Sequence, residues 1–286
     1  MGSEMCIRDR SKSYSNFRCE DVVKISDLGK FKILELFHGP TLAFKDIAMQ
    51  LIGNFYQYHL ESAEKKINIL VATSGDTGAA AIDALKGKSN LNVFVLHPHN
   101  KISPVQRRLM TIHEERNVFN IAIEGNFDDC QNLVKAMFND QNFSNKINMS
   151  GVNSINWARI ICQIVYYFYA YFQMSSKINF SVPTGNFGDV YAGYLAKKIG
   201  LPINKFVVAT NQNDIYLDLE DDHSFASFEN KISLFSKPLR LVINTSGLLH
   251  SNHFVALYSS TRGRGDRVLY SNRYKFRWEL LLLKLL

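Results

Sequence analysis

Twice in this chain an apolar stretch of strand length runs into a glycine-bearing turn and out again into a helix-forming stretch. The first is Ile67–Ala72 (INILVA), followed by Thr73–Ala81 (TSGDTGAAA). The second is Ile178–Val182, followed by Pro183-Thr184-Gly185-Asn186-Phe187-Gly188-Asp189. A strand that feeds directly into a helix starts a crossover, and repeated crossovers build a parallel sheet covered by helices. The rest of the pattern agrees. Strands are predicted at Phe31–Phe37, Asn92–Leu96, Phe119–Ile123 and Lys205–Ala209. Helices are predicted at Gly78–Leu85, Phe127–Phe138, Ile155–Met174 (packed deeply) and Gly188–Ile199. A further helix is read from Ile47, Ala48, Leu51, Ile52, Phe55 and Tyr58, which recur at three- and four-residue steps. Gly200 is placed as a helix C-cap, with Pro202 just beyond. The expected class is α/β with a largely parallel sheet, and in one open sheet the two turns would meet in a crevice.

Glycines in such turns let the backbone approach a ligand closely, and the first N–H groups of the following helix favour an anion. A tight turn with no ligand is the competing reading, and either turn alone fits both. Neither turn is a GxxxxGK[ST] or a GxGxxG loop, so a phosphate-bearing group of another kind is suggested.

Composition narrows the classes. At 286 residues the chain can build one large core or two smaller ones. It is 46% hydrophobic with no run long enough to span a bilayer, so no membrane role is expected. The start, residues 1–10, lacks the apolar core of a signal peptide, and Cys6, Cys19, Cys130 and Cys162 are scattered without a CxxC pair. A reducing cytoplasm is the expected setting. The formal charge is +7, but residues 261–286 hold seven Lys/Arg against Asp266 and Glu279, which leaves the remainder at +2. A basic tail without a basic face does not point to nucleic acid. The histidines show no metal spacing, including His97, His99 and His113.

Lys45 stands at a predicted helix start among Leu42, Ala43, Phe44 and Ile47. A positive charge is unfavourable there, and an apolar setting favours the neutral amine, the form that attacks a carbonyl. The alternative is a stem packed on the core with its charge reaching water.

Read together, the segments ELFHGPTLAFKDIA (Glu35–Ala48), TSGDTGAAA, KISPVQ (Lys101–Gln106), NSINWAR (Asn153–Arg159) and VPTGNFGDVYAGYLAKKIGLPI (Val182–Ile203) closely resemble the threonine synthase family. IEGNFDDCQNLVKAMF (Ile123–Phe138) and FVVATNQNDI (Phe206–Ile215) join the resemblance, which covers roughly residues 16–215. The family consists of pyridoxal-phosphate enzymes of the tryptophan-synthase-β-like fold, fold type II. The resemblance implies that Lys45 is the Schiff-base lysine and later the proton shuttle. It implies that Gly185, Asn186, Phe187, Gly188 and Asp189 hold the cofactor phosphate, with Asp76 near the ring hydroxyl. Ser74, Gly75, Asp76 and Thr77 would bind the substrate carboxylate, and Asn153, Ser154 and Arg159 the substrate phosphate. The competing reading of Arg159 is a salt bridge on the helix surface. The implied reaction converts O-phospho-L-homoserine and water to L-threonine and phosphate. Another lyase of the same fold, such as a serine/threonine dehydratase or a cysteine synthase, is the alternative enzyme, and an inactive fragment is the alternative without activity.

Some residues have two readings of equal standing. Lys101, Ser103 and Gln106 line the site or simply start a helix at Pro104. His38 reads as structural, and Asp128-Asp129 as complementing a helix dipole. The organisation expected from the resemblance is a leader (1–15), a catalytic core (16–215) and a segment (216–286) that departs from the family. On that expectation the chain is an incomplete fold type II, short at both ends.

Overall fold

A computed structural model of the chain carries the predicted alternation of strands and helices. It describes residues 11–29, 31–63, 66–153, 156–174, 178–183, 188–209 and 254–258. In chain order the strands are β1 (Lys24–Asp27), β2 (Phe31–Glu35), β3 (Ile67–Ala72), β4 (Leu91–Pro98), β5 (Val118–Ile123), β6 (Met149–Gly151), β7 (Ile178–Pro183), β8 (Ile203–Ala209) and β9 (Phe254–Tyr258). The helices are α1 (Lys45–Ala63), α2 (Asp76–Leu85), α3 (Pro104–Thr111), α4 (Phe127–Asn139), α5 (Gln141–Lys146), α6 (Trp157–Met174) and α7 (Gly188–Lys198). The described residues form two units, one from 11–22 and 36–162, the other from 23–35 and 163–258.

The first unit is built on a sheet of order β5-β4-β3-β6, every pair parallel. β3 shows why its sequence is apolar without alternation. Ile69 and Val71 enter one core with Ala48, Met49 and Ile52 of α1 and Ala80, Ile82 and Leu85 of α2. Leu70 and Ala72, pointing the other way, enter a second core with Cys130 and Val134 of α4. Successive side chains of a strand face opposite sides, so a strand covered on both faces must be apolar throughout. Burying Ile82 and Leu85 alone contributes about 2 kcal/mol each, while the alanines between them let α2 lie close to the sheet.

The buried face of α1 differs from the predicted stripe. Ala48, Met49, Ile52 and Leu60 are buried, but Phe55 and Tyr58 are more than half exposed. Gly53 explains the rotation: a Cβ there would lie 2.5 Å from the Ala84 carbonyl oxygen, so this glycine faces α2 at close range. α6 departs in the same sense. Tyr166, Tyr167 and Ala170 are buried, whereas Trp157, Ile161, Val165 and Phe172 are largely exposed, so it is packed on one face rather than all round.

The second unit has a sheet of order β1-β2-β9-β7-β8, antiparallel only between β1 and β2. Its core centres on Tyr167, with ring centroids 4.8 Å from Phe180 and 6.2 Å from Phe206. The buried Tyr167 hydroxyl donates to the Asp189 carbonyl at 2.7 Å. Gly200, at φ +114, ends α7 as predicted. β9 falls within the segment expected to depart from the family pattern, yet it pairs with both β2 and β7.

One expectation is corrected. The two glycine-bearing turns do not follow strands of a single sheet: β3 belongs to the first unit's sheet and β7 to the second's. Strand periodicity says which residues are extended, while pairing partners are chosen by contacts far apart in sequence. The leader at 1–10 and most of 216–286 lie outside the described residues.

Candidate active site

The approach to Lys45 is shaped by its neighbour. The Asp46 side chain is fully buried, and its carboxylate accepts from the Thr41 amide (2.8 Å), the Thr41 hydroxyl (2.6 Å) and the Ala43 amide (3.5 Å). It thereby ties the turn between β2 and α1 to the first turn of the helix. Gly39 packs on it so closely that a Cβ would lie 2.4 Å from the Asp46 Cβ. Burial pushes the Asp46 carboxyl up to about 6, against the opposing pull of the Thr41 and Ala43 hydrogen bonds; Asp83 adds a little in the same direction as burial.

Lys45 begins α1, and its ammonium lies 4.9 Å from the Phe44 ring centroid and 3.4 Å from Asp76 Oδ2. Both side chains are mostly shielded, at 15% and 13% exposure. The amine therefore neither sits in a purely apolar setting nor reaches open water. It is held by a carboxylate from a different loop.

That loop is Thr73–Gly78. Thr73 Oγ1 accepts from the amides of Gly75 and Gly78, both at 2.9 Å, and so folds the turn over the end of β3. Gly75 has φ +136, a conformation that side-chain-bearing residues rarely adopt. A Cβ on it would also strike the Gln106 amide group at 2.3–2.7 Å. Asp76 opens α2, with Oδ1 accepting from Gln106 Nε2 at 2.6 Å and Oδ2 facing Lys45. The N–H groups of Asp76 and Thr77 have no acceptor among the described residues. They stand at the positive end of α2, beside the lysine.

The remaining predicted residues are distributed as follows. Asn153 Oδ1 is buried without a hydrogen-bond partner among the described residues. Ser154 lies outside them. Arg159 is 2% exposed and donates from Nη1 to the Val152 carbonyl at 3.1 Å, so it is not a surface salt bridge. Of the second turn, Gly185, Asn186 and Phe187 lie outside the described residues; Gly188 opens α7, and buried Asp189 accepts from the Val190 amide at 2.8 Å. The His38 ring packs on Phe37 at 4.7 Å. Asp129 forms a capping box with Asn126, a structural role as expected. Among the described residues no group of three His, Cys, Asp or Glu could hold a metal, and no helix is long and apolar enough to cross a membrane.

Sequence reasoning undervalued Gln106. Its signal was present: Ser103 and Gln106 have capping-box spacing with Pro104 at the helix start, and the structure has α3 there with both capping bonds made. What that spacing does not reveal is the carboxylate at the far side of the amide.

The family described as pyridoxal-phosphate dependent enzyme matches residues 28–228. Threonine synthase of Saccharomyces cerevisiae is 50% identical over 222 residues, covering 71% of this chain and 43% of that protein. Threonine synthase of Pseudomonas aeruginosa is 52% identical over 208 residues, covering 71% and 44%. Among solved structures, PLP-bound threonine synthase from Brucella melitensis aligns with a TM-score of 0.66 and 38% identity, over 87% of this chain and 62% of that one. The chain thus spans less than half the length of these two curated relatives. Its fold is that of the fold-type-II pyridoxal-phosphate enzymes. With a family match running over most of its length, on parallel α/β sheets and with a shielded lysine at a helix start, the chain belongs to the pyridoxal-phosphate dependent enzymes.

Proposed function

We propose that this chain carries the lysine-bearing part of a threonine synthase, acting on O-phospho-L-homoserine and water to give L-threonine and phosphate in the cytoplasm. The observation that carries the proposal is the Lys45 amine, shielded and 3.4 Å from Asp76, beside two helix-start N–H groups with no acceptor among the described residues. An aldehyde-bearing cofactor needs a shielded primary amine, and an amino-acid substrate needs donors for its carboxylate. The residues present fit both needs.

Pyridoxal phosphate, when bound, supplies an electron sink for charge that develops at the substrate α-carbon. Lys45 would hold it, with Asp76 alongside, and Gly185, Asn186, Phe187, Gly188 and Asp189 would take its phosphate. The turn Ser74, Gly75, Asp76 and Thr77 binds and orients the substrate carboxylate, with the Asp76 and Thr77 N–H groups as its donors. Asn153, Ser154 and Arg159 hold the substrate phosphate, a task suited to the forked donors of a guanidinium. The Lys45 Nζ, once neutral, takes the proton from the α-carbon and then one from the β-carbon. Asp76 keeps that nitrogen in place between transfers. Phosphate leaves from the γ-carbon, the water hydroxyl adds at the β-carbon while the water proton goes to the phosphate, and Lys45 gives up both protons it took, one in turn to the γ-carbon and one to the α-carbon.

The test is to add pyridoxal phosphate, reduce with borohydride and map the modified peptide. Phosphate and threonine are then measured with O-phospho-L-homoserine. The expected result is a single tag on Lys45, absent in Lys45→Ala, with threonine as product. Tags scattered over surface lysines would overturn the cofactor assignment, and a 2-oxo acid in place of threonine would assign a dehydratase instead.

A further inference from the structure

Gln106 is a buried glutamine whose two ends are both committed. Its Oε1 accepts from the Ser103 hydroxyl at 2.9 Å and from the Ser103 backbone N–H at 3.4 Å, while the Gln106 backbone N–H donates to Ser103 Oγ at 3.2 Å. Ser103 therefore fixes which way the side-chain amide faces, because only a carbonyl oxygen can take the hydroxyl and backbone donors. The NH₂ end is turned to Asp76 Oδ1 at 2.6 Å, a short bond to a charged acceptor. The other oxygen of that carboxylate is the one that meets Lys45. The face of the same amide lies against Gly75, whose missing side chain leaves room for it. Three segments remote in sequence are thus linked in series: the start of α3, the loop before α2 and the start of α1.

We propose that Gln106 is a positioning residue for the site, held by Ser103, which fixes the Asp76 carboxylate on the Lys45 amine and shapes the loop 74–77. It acts through Asp76. The inference rests on the reading of Lys45 as the cofactor lysine for its bearing on catalysis. The geometry it claims is independent of that reading. Packing alone would be satisfied by any side chain of the same length. Positioning requires the donor, and this difference is what the experiment exploits.

Gln106→Met keeps the length and loses the donor, and Gln106→Glu keeps the shape while setting an acceptor against Asp76. The full chain, without added cofactor, is labelled with trace acetic anhydride, and the rate at each lysine is read by peptide mass spectrometry. Gln106→Met is expected to label Lys45 about tenfold faster than wild type, the equilibrium worth of one hydrogen bond to a charged group, whereas Gln106→Glu, whose added carboxylate favours the ammonium, labels it no faster. Lys32 and Lys86 label at unchanged rates in a folded variant. Ser103→Ala, which frees the amide to turn, gives a smaller rise. Borohydride tagging with pyridoxal phosphate then gives a second readout, with a reduced yield at Lys45 in both Gln106 variants. Lys45 labelling within twofold of wild type in Gln106→Met would overturn the proposal. So would a rise shared by all lysines, which marks general loosening. If wild type takes no tag at Lys45, the proposed function fails, yet the anhydride rates still decide the role of Gln106.

Discussion

Asp46 sets up a quantitative test of how the turn before Lys45 is held. Its carboxyl is pushed from 3.8 to about 6 in the folded chain, with burial outweighing the hydrogen bonds from Thr41 and Ala43. A folded-state value above the unfolded one means that the native state binds the proton more tightly. The stability linked to that proton is fully present below pH 3.8 and is lost as pH rises through about 6. A shift of roughly two units corresponds to about 3 kcal/mol over the whole window. Asp46→Asn removes the titration while keeping the size and one acceptor oxygen. It also sets an amide group against the Thr41 or Ala43 N–H, a cost that does not change with pH. Urea unfolding of both proteins, followed by circular dichroism at steps from about pH 4 to 8, isolates the effect, since groups common to both cancel in the difference. The variant should gain about 2–3 kcal/mol on wild type as pH rises, most of it between about pH 4 and 6 and little above that. A difference that is flat in pH, or that moves the other way, would refute the reasoning. It would mean that the three hydrogen bonds outweigh desolvation and that Asp46 is ionised in the fold at ordinary carboxylate pH.

Two further substitutions test the loop that carries Asp76. Thr73→Val keeps the shape but leaves the amides of Gly75 and Gly78 without their acceptor. A loss of about 3 kcal/mol in urea unfolding is expected, with faster hydrogen exchange at those two amides; unchanged exchange would show that Thr73 does not hold the turn. Gly78→Ala should raise helix propensity by about 1 kcal/mol yet destabilise overall by about 1–2 kcal/mol. Its Cβ would meet Thr73 Cγ2, Met110 Sδ and Val95 Cγ1 at 2.6–2.8 Å. A net gain in the unfolding midpoint would contradict that packing.

Local structure was legible where local physics decides it. The bounds of β3 match the apolar run Ile67–Ala72, and the left-handed Gly200 ends α7 where a glycine before a proline was expected to end it. The short elements were not legible. β6 has three residues and is extended by virtue of its pairing with β3. α3 had the spacing of a capped helix, but the same residues also read as a site loop.

The residue types of the candidate site were visible as segments: a lysine at a helix start, a glycine-bearing turn and a serine–glutamine pair. Those follow from the sequence alone, because helix starts, left-handed glycines and capping boxes are made by residues a few positions apart. The tertiary structure alone decided that the two glycine turns follow strands of different sheets, that Phe55 and Tyr58 face outward, and that Asp46 is buried. It also decided that Asp76 meets both Lys45, 31 residues away, and Gln106, 30 residues away. A hydrogen bond across such a separation leaves no periodic trace in either segment. It exists because strand pairing and helix packing carry the two loops to the same place.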